Sequence, residues 1–582
     1  PPTRRDQHRM RSPVLVVDGL SVRFGHQPVV HDVRFTLEAG ECIGIVGASG
    51  SGKSVTSMAL MGLLPAQATI TGKAMWHGEG GPVDLLAPGT GAGKALRGRH
   101  IAMVFQEPMT ALDPAYTVGD QVAEVVRTHL GMDRAAARRK VEALFAEVLL
   151  PDPARLFDRY PHQLSGGQKQ RVMIAMALSC SPGLLICDEP TTALDVLVQR
   201  EILDLLKDLR KRRRMGMLFI THDLGVVREV ADRVLVMHRG EVVEHATVEE
   251  LFARPVHPYT RGLIACRPDP AVHPVQLPTV DAVMQDPEAF TPDRIPTIPP
   301  DVRRAAAEER MKQEPLLRVE GLDKHYPGQR GLFRPPGPDV QVLHDIGFCV
   351  YPGETLGVVG GSGSGKTTLG RSILRLLEPN AGHVYYRGVD ITTLSPADMR
   401  ALRREVQIIF QDPYAALNPR ITAGAAIAEA MRVHGIGRSD RQRRDAVVAL
   451  LERVGLEAAH YGRYPHQFSG GQRQRIVIAR AIALQPRLVV CDESVAALDV
   501  SVQAQVLNLL NELKQEHGLT YVFISHDLNV VKYFCDRILV LERGRQAELG
   551  LADTVYHQPR AAYTKALLAA IPGQVRDGRG RS

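Results

Sequence analysis

The 582-residue chain is poor in the features that would make it a secreted scaffold, a membrane span or a nucleic-acid platform. Its seven cysteines, Cys42, Cys180, Cys187, Cys266, Cys349, Cys491 and Cys535, are an odd number without any C-x-x-C pair. Neither a zinc ribbon nor a disulfide framework is expected, and a reducing compartment fits. Aromatic residues are only 5% of the chain, and none interleaves the densest basic run, RKRRR at 210–214. Bases would have nothing there to stack on, so direct nucleic-acid binding is not expected, and the run reads as a solvated helix end despite a formal net charge of +7. No apolar stretch approaches the roughly 18 residues that cross a bilayer. The apolar runs at 183–187 and 487–491 stop at acids. Residues 1–10 are polar and basic with no apolar run behind them, so no secretory leader is expected. What remains is an average globular composition, 44% hydrophobic and 23% charged, long enough for roughly four folding units.

The chain is written twice. Gln106, Ser165, Glu189 and His222 recur as Gln411, Ser469, Glu493 and His526, at offsets of 305, 304, 304 and 304. Lys53 recurs as Lys366 at an offset of 313, so the first copy carries about eight extra residues in the Gly-rich stretch 77–100, read as a surface-loop insertion. The second copy has its own Gly/Pro-rich insertion at 328–339. Between the copies, residues 267–315 hold ten prolines in 49 positions, which excludes continuous helix or sheet, although 302–313 is expected to form a short helix. This segment reads as a tether. The expected divisions are an extension at 1–12, a first unit at 13–266, the linker at 267–315, a second unit at 316–572 and a tail at 573–582. Within each copy a β-rich opening leads to a strand, a Gly-rich loop and a helix, then a helical stretch (117–150; 423–454), then alternating strands and helices. That order predicts an α/β core with a helical insertion.

Residues 47–54 read GASGSGKS after the apolar run 42–46, and 360–367 read GGSGSGKT after 355–359. Both fit the phosphate-loop pattern in its required strand-loop-helix context. With glycine near 7% of residues, about 0.02 chance matches are expected in a chain of this length. Two in repeat register exclude accident. Glycines let successive backbone N–H groups face phosphate oxygens, and the following helix adds its positive end. Lys53 and Lys366 are then placed to bridge β- and γ-phosphates, with Ser54 and Thr367 supplying a hydroxyl to Mg²⁺.

The runs GLLICDE at 183–189 and RLVVCDE at 487–493 are buried-strand patterns ending in two acids. Asp188 and Asp492 are expected to hold Mg²⁺ through water, and Glu189 and Glu493, one residue further on, to polarise the attacking water as general bases. LSGGQ at 164–168 and FSGGQ at 468–472 each open a basic, helix-compatible stretch, a second anion-binding device. FITHD and FISHD place His222 and His526 after strands.

Together with the phosphate loops, the glutamines and the strand acids, LSGGQ and FSGGQ resemble the signature of ATP-binding cassette (ABC) proteins, and the resemblance covers nearly all of both copies. It implies two tandem cassettes, each an α/β core with an antiparallel β subdomain and a helical subdomain, pairing head to tail within the chain around two ATPs. The first site would join Gly47, Ala48, Ser49, Gly50, Ser51, Gly52, Lys53, Ser54, Val55, Gln106, Asp188, Glu189 and His222 with Ser469, Gly470, Gly471 and Gln472. The second would join Gly360, Gly361, Ser362, Gly363, Ser364, Gly365, Lys366, Thr367, Thr368, Gln411, Asp492, Glu493 and His526 with Ser165, Gly166, Gly167 and Gln168. By the same similarity Gln106 and Gln411 sense Mg²⁺ and the membrane partner, His222 and His526 contact the γ-phosphate, Asp195 and Asp499 couple the sites, and Phe24 and Tyr326 stack on adenine.

QEPMTALDP (106–114), QDPYAALNP (411–419), RYPHQLSGGQ, RYPHQFSGGQ and HPYTRGL (257–263) are similar to the ATPases of peptide and nickel importers. The fusion of both cassettes resembles the glutathione, dipeptide and oligopeptide importers most. Such systems imply two integral membrane permeases, an extracytoplasmic substrate-binding protein and a peripheral position on the cytoplasmic face of the inner membrane. A soluble ribosome- or DNA-associated cassette ATPase is the alternative. It would favour a charged helical linker, zinc-binding cysteine pairs or long coiled coils. The chain departs from its resemblance at the second loop position, where Glu is frequent and Ala48 and Gly361 stand, and at Ser494, which replaces the proline of the first copy. Some relatives carry a cysteine-rich segment after the HPYT tail. Only Cys266 lies nearby here, and no iron–sulfur cluster is expected.

Overall fold

The core strands are uniformly apolar because they are covered on both faces. Cys42–Val46 and Leu184–Asp188 are buried at all five positions, as are Thr355–Val359 and Leu488–Asp492 in the second copy. The computed structural model describes residues 12–573 apart from 79, 88–91, 108–110, 193, 292, 328–338 and 497. In the first copy six strands run in the order Glu241–Thr247, Arg233–His238, Cys42–Val46, Gly216–Ile220, Leu184–Asp188, Ile101–Val104. All pairings are parallel except that of the outermost Glu241–Thr247. The second copy repeats this as Val406–Ile409, Leu488–Asp492, Thr520–Ile524, Thr355–Val359, Arg537–Glu542, Arg545–Leu551.

A four-stranded sheet, Gln27–Glu38, Pro13–Phe24, Ala68–Gly78, Gly81–Asp84, packs beside the first core, and Val340–Val350, Leu317–Tyr326, Ala381–Tyr386, Val389–Asp390 beside the second. The inserted stretch of the first copy is more than a loop. It completes the antiparallel hairpin of Ala68–Gly78 with Gly81–Asp84 and forms the short helix Ala92–Leu96. All but Asp339 of the expected insertion at 328–339, all but Ser12 of the extension at 1–12 and all but Gly573 of the tail at 573–582 lie outside the described residues.

The helical stretches resolve into pairs. Val118–Leu130 starts where Thr117 accepts a hydrogen bond from Asp120 N–H and ends at Gly131 with φ 65°, and it buries Val118, Val122 and Val126 against Arg134–Glu147. Each buried valine is worth about 1.5–3 kcal/mol. Ala423–Val433 and Asp440–Arg453 form the second pair. Among the described residues no helix is long and apolar enough to cross a membrane.

Two further expectations change in three dimensions. The proline-rich linker is packed, not free. Leu277 is buried, its N–H donating to Asn508 Oδ1 at 2.9 Å and its carbonyl accepting from Asn508 Nδ2 at 2.8 Å. Its helix Pro300–Met311 is pinned by Arg310 on Asp536 at 3.0 Å and by Arg303 on the carbonyls of Lys532 and Cys535. The basic run is also not wholly solvated. It ends the helix Val196–Arg213, where cations suit the helix dipole, yet Arg210 is buried on Asp232 at 2.7 Å and Arg213 reaches Glu147 at 2.6 Å.

Candidate ATP sites

Each phosphate loop leaves the C-terminal end of a central parallel strand and runs into a helix, Lys53–Leu60 or Lys366–Ile373. This is where open α/β sheets bind ligands. Gly52 and Gly365 cap these helices with φ of 100° and 98°, a conformation that a side chain would resist. Lys53 Nζ lies inside its loop, donating to the carbonyls of Gly47 at 2.8 Å and Ala48 at 2.9 Å. Lys366 does the same with Gly360 and Gly361. Burial pulls both ammonium pKa values down, against the attraction of Glu189, Asp499 and Asp188 around Lys53 and of Glu493, Asp195 and Asp492 around Lys366. The hydroxyls of Ser51 and Ser364 are buried in the two loops without a hydrogen-bond partner.

Ser54 Oγ donates to Asp188 and Thr367 Oγ1 to Asp492, both at 3.1 Å. Burial raises the pKa of each aspartate, with the hydroxyl bond only partly opposing it. The next residue behaves differently. Burial alone would raise Glu189, but the hydrogen bond and charge of His222, 3.3 Å away, hold it below its usual value. Burial would likewise lower His222, and Glu189 instead raises it. Glu493 is also held down, by His526 at 3.6 Å. Gln106 Nε2 donates to Glu189 at 3.0 Å and Gln411 Nε2 to Glu493 at 2.9 Å. In both copies the glutamine, aspartate, glutamate and histidine at the strand ends are thus brought together with the lysine and hydroxyl of the loop.

Two features of this cluster lie outside the sequence motifs. Glu189 and Glu493 adopt left-handed backbone, φ 48° and 47°, a strain of about 1–3 kcal/mol for such a residue, tied down by N–H bonds to the carbonyls of Ile220 and Ile524. The two sites also differ. Thr192 Oγ1 donates to Glu189 at 2.9 Å, whereas the equivalent position of the second copy is Ala496.

The signature segments fold as capping boxes. Ser165 Oγ accepts from Gln168 N–H at the head of the helix Gly166–Leu178 while Gln168 Oε1 accepts from Ser165 N–H, and Ser469 and Gln472 repeat this at Gly470–Ile482. Their two glycines are not equivalent. A Cβ on Gly167 would meet Val198 Cγ1 at 2.6 Å and one on Gly471 would meet Val502 Cγ1 at 2.5 Å, whereas Gly166 is open to 3.9 Å and Gly470 has nothing within 4 Å.

The copies meet at the loops. Ser49 N–H donates to Asp499 at 3.2 Å and Ser362 N–H to Asp195 at 3.1 Å. A cavity of about 410 Å³, in the size range of small-molecule sites, is lined by Tyr326, the second loop from Ser362 to Thr368, Gln411, Glu493 and His526, together with Leu194 and Asp195 of the first copy. Ser165, Gly167 and Gln168 are not among its lining residues. Phe24 ends the strand Pro13–Phe24 and packs partly buried against the first core.

This is the architecture of a P-loop ATPase in duplicate. The family pattern described as "ABC transporter" matches residues 30–192 and again 343–496, and that described as "Oligopeptide/dipeptide transporter, C-terminal region" matches 243–291. The chain is 46% identical over 572 residues to the glutathione import ATP-binding protein GsiA of Salmonella typhimurium (strain LT2), a match spanning 96% of this chain and 89% of that protein. It is 45% identical over 573 residues to GsiA of Escherichia coli (strain K12), with the same coverage. The solved ATP-binding cassette MJ0796, in a dimeric post-hydrolysis state with ADP and phosphate, is 28% identical; the match covers 40% of this chain and 98% of that one at a TM-score of 0.37. The chain belongs to the ABC transporter family and is one of its ATP-hydrolysing members.

Proposed function

We propose that this chain is the energy-coupling subunit of an importer for short peptides, of the glutathione, dipeptide or oligopeptide class. It works at the cytoplasmic face of the inner membrane beside two integral membrane permeases, and an extracytoplasmic substrate-binding protein supplies the cargo. The observation that carries this reading is the presence, on one chain, of two complete sets of loop lysine, strand aspartate, adjacent glutamate and histidine, with the peptide-transporter C-terminal pattern following the first set.

Backbone N–H groups of the two loops, with Lys53 and Lys366, take the ATP phosphates, and Phe24 and Tyr326 take the adenines. The oxygen donors fit Mg²⁺: a hydroxyl and a carboxylate stand together in each copy (Ser54 with Asp188, Thr367 with Asp492), and the buried charge of each aspartate would be relieved by a cation. Gln106 and Gln411 complete that set. Bound there, Mg²⁺ neutralises phosphate charge. Glu189 and Glu493, kept ionised by His222 and His526, accept a proton from the attacking water. The histidines contact the γ-phosphate, and the signature of each copy, Ser165 to Gln168 or Ser469 to Gln472, closes over the ATP held by the other. ATP draws the copies together and hydrolysis releases them, a stroke the permeases convert into transport.

The test is to purify the tagged chain from detergent-solubilised membranes and identify what accompanies it by mass spectrometry. Two polytopic permeases are expected. Ribosomal or DNA-associated partners without a permease would overturn the reading.

A further inference from the structure

Each phosphate loop is gripped at two neighbouring N–H groups, one by a tyrosine that lies outside the nucleotide constellation and one by the aspartate of the opposite copy. Ala48 N–H donates to Tyr259 Oη at 2.8 Å, beside the Ser49 bond to Asp499. In the second copy Gly361 N–H donates to Tyr563 Oη at 2.8 Å, beside the Ser362 bond to Asp195. The repetition of an identical pair of bonds in two copies that differ at many surrounding positions argues against coincidence. Tyr259 is 1% exposed in the helix Pro258–Ala265, its ring against that of His238 at 4.0 Å; Tyr563 stands in Ala562–Ala569. A Cβ added at Gly361 would meet Tyr563 Oη at 3.0 Å, so the hydroxyl is seated close against the loop.

In each copy the two acceptors belong to one packed unit that spans both cassettes. The helix Pro258–Ala265 packs on Val280–Gln285, and the Leu277 backbone just before that helix is bonded in both directions to Asn508 of the helix Val500–His517. Asp499 caps the N-terminus of that same helix. The other half mirrors it: Ala562–Ala569 packs on Val196–Arg213, whose N-cap is Asp195. A loop whose N–H has lost its acceptor is free to wander locally, and a loop held in its binding shape needs less ordering when phosphate arrives.

We infer that Tyr259 and Tyr563 are positioning residues for ATP, each clamping the phosphate loop of its own cassette and tying it, through the C-terminal segment, to the helix of the opposite cassette. The inference rests on the reading of these loops as ATP sites and adds the residue that fixes their shape.

The experiment uses the full-length chain with Tyr259→Phe, Tyr563→Phe and both together, which keep the ring packing and remove only the acceptor. Steady-state ATP kinetics, thermal unfolding and amide hydrogen exchange of residues 47–52 and 360–365 are read on each. Each single variant is expected to raise KM for ATP roughly two- to tenfold, the worth of one hydrogen bond, with kcat nearly unchanged, unfolding temperature held, and exchange faster in the loop of the altered copy alone. Unchanged KM and unchanged loop exchange would overturn the inference. So would a KM change that comes only with a general loss of unfolding temperature, which marks a structural role. A wild-type chain that turns over no ATP would instead sink the ATPase reading, and loop exchange would still decide whether the clamp exists. Should one variant fail to fold, the equivalent tyrosine of the other copy gives the same test.

Discussion

The two glycines of each signature make opposite predictions. A Cβ on Gly471 falls 2.5 Å from Val502 Cγ1 and one on Gly167 falls 2.6 Å from Val198 Cγ1. Real contacts of this kind do not occur below about 3 Å, so something must move. Val198 and Val502 sit in the helices Val196–Arg213 and Val500–His517, where a β-branched side chain has essentially one χ1 state, and both pack against the cores. The valine cannot swing away, and the helix opening at Ser165 or Ser469 must shift instead. Overpacking of this type costs about 1–3 kcal/mol. At roughly 2–4 °C per kcal/mol for a folding unit of this size, Gly471→Ala and Gly167→Ala should lower the unfolding temperature by several degrees. Gly470→Ala adds its methyl to open space and, with alanine's better helix propensity of up to about 1 kcal/mol, should hold or raise it. Differential scanning calorimetry on the three single variants reads this directly. If Gly471→Ala and Gly470→Ala unfold at the same temperature, the packing argument is wrong.

Glu189→Gln and Glu493→Gln should each reduce ATP turnover while leaving ATP binding intact, and the double variant should lose about 10²-fold or more. Turnover assays with equilibrium binding check this, and unchanged turnover in both single variants would refute the assignment of the general base. His273, in the linker, is pushed down to about 3 by burial and by the nearby Arg303 and Lys532, and its ring lies edge-on to Tyr533 at 5.0 Å. Because the folded state keeps it neutral while the unfolded chain protonates it near 6.5, stability is expected to fall as pH drops from 6.5 towards 3, by at most about 2 kcal/mol between pH 7 and 5. Protection factors for amide exchange of residues 271–285, taken relative to the intrinsic rate at each pH, should therefore fall between pH 7 and pH 5, and His273→Leu should remove that fall.

The parts of this molecule that were legible in sequence are those whose chemistry is local. GASGSGKS, the strand that runs into Asp188 and Glu189, and the capping box from Ser165 to Gln168 each declare themselves within a few residues, and their recurrence, 313 residues later for the loop and 304 for the others, multiplied the signal. The helix expected at 302–313 forms as Pro300–Met311. What stayed hidden depends on long-range packing. No pattern links Ala48 to Tyr259, 211 positions away, or Leu277 to Asn508, 231 positions away. A tether and a docked strap have the same proline-rich composition, and what distinguishes them is long-range contacts such as the buried amide of Asn508 and the bonds of Arg303 and Arg310. Arg210 looked like surface charge because its partner Asp232 arrives from another element. The left-handed backbone of Glu189 and Glu493 is imposed by the strand-to-loop turn and has no compositional mark.

The central claim is that each ATP is held by one copy and closed over by the signature of the other. A cryo-electron microscopy structure of the Glu189→Gln, Glu493→Gln chain with ATP and Mg²⁺ tests it most directly. The account predicts two ATP molecules, with Ser469 over the one bound at Lys53 and Ser165 over the one bound at Lys366, each serine within about 3 Å of a γ-phosphate oxygen. Signature serines that remain in solvent while both loops hold ATP would contradict it.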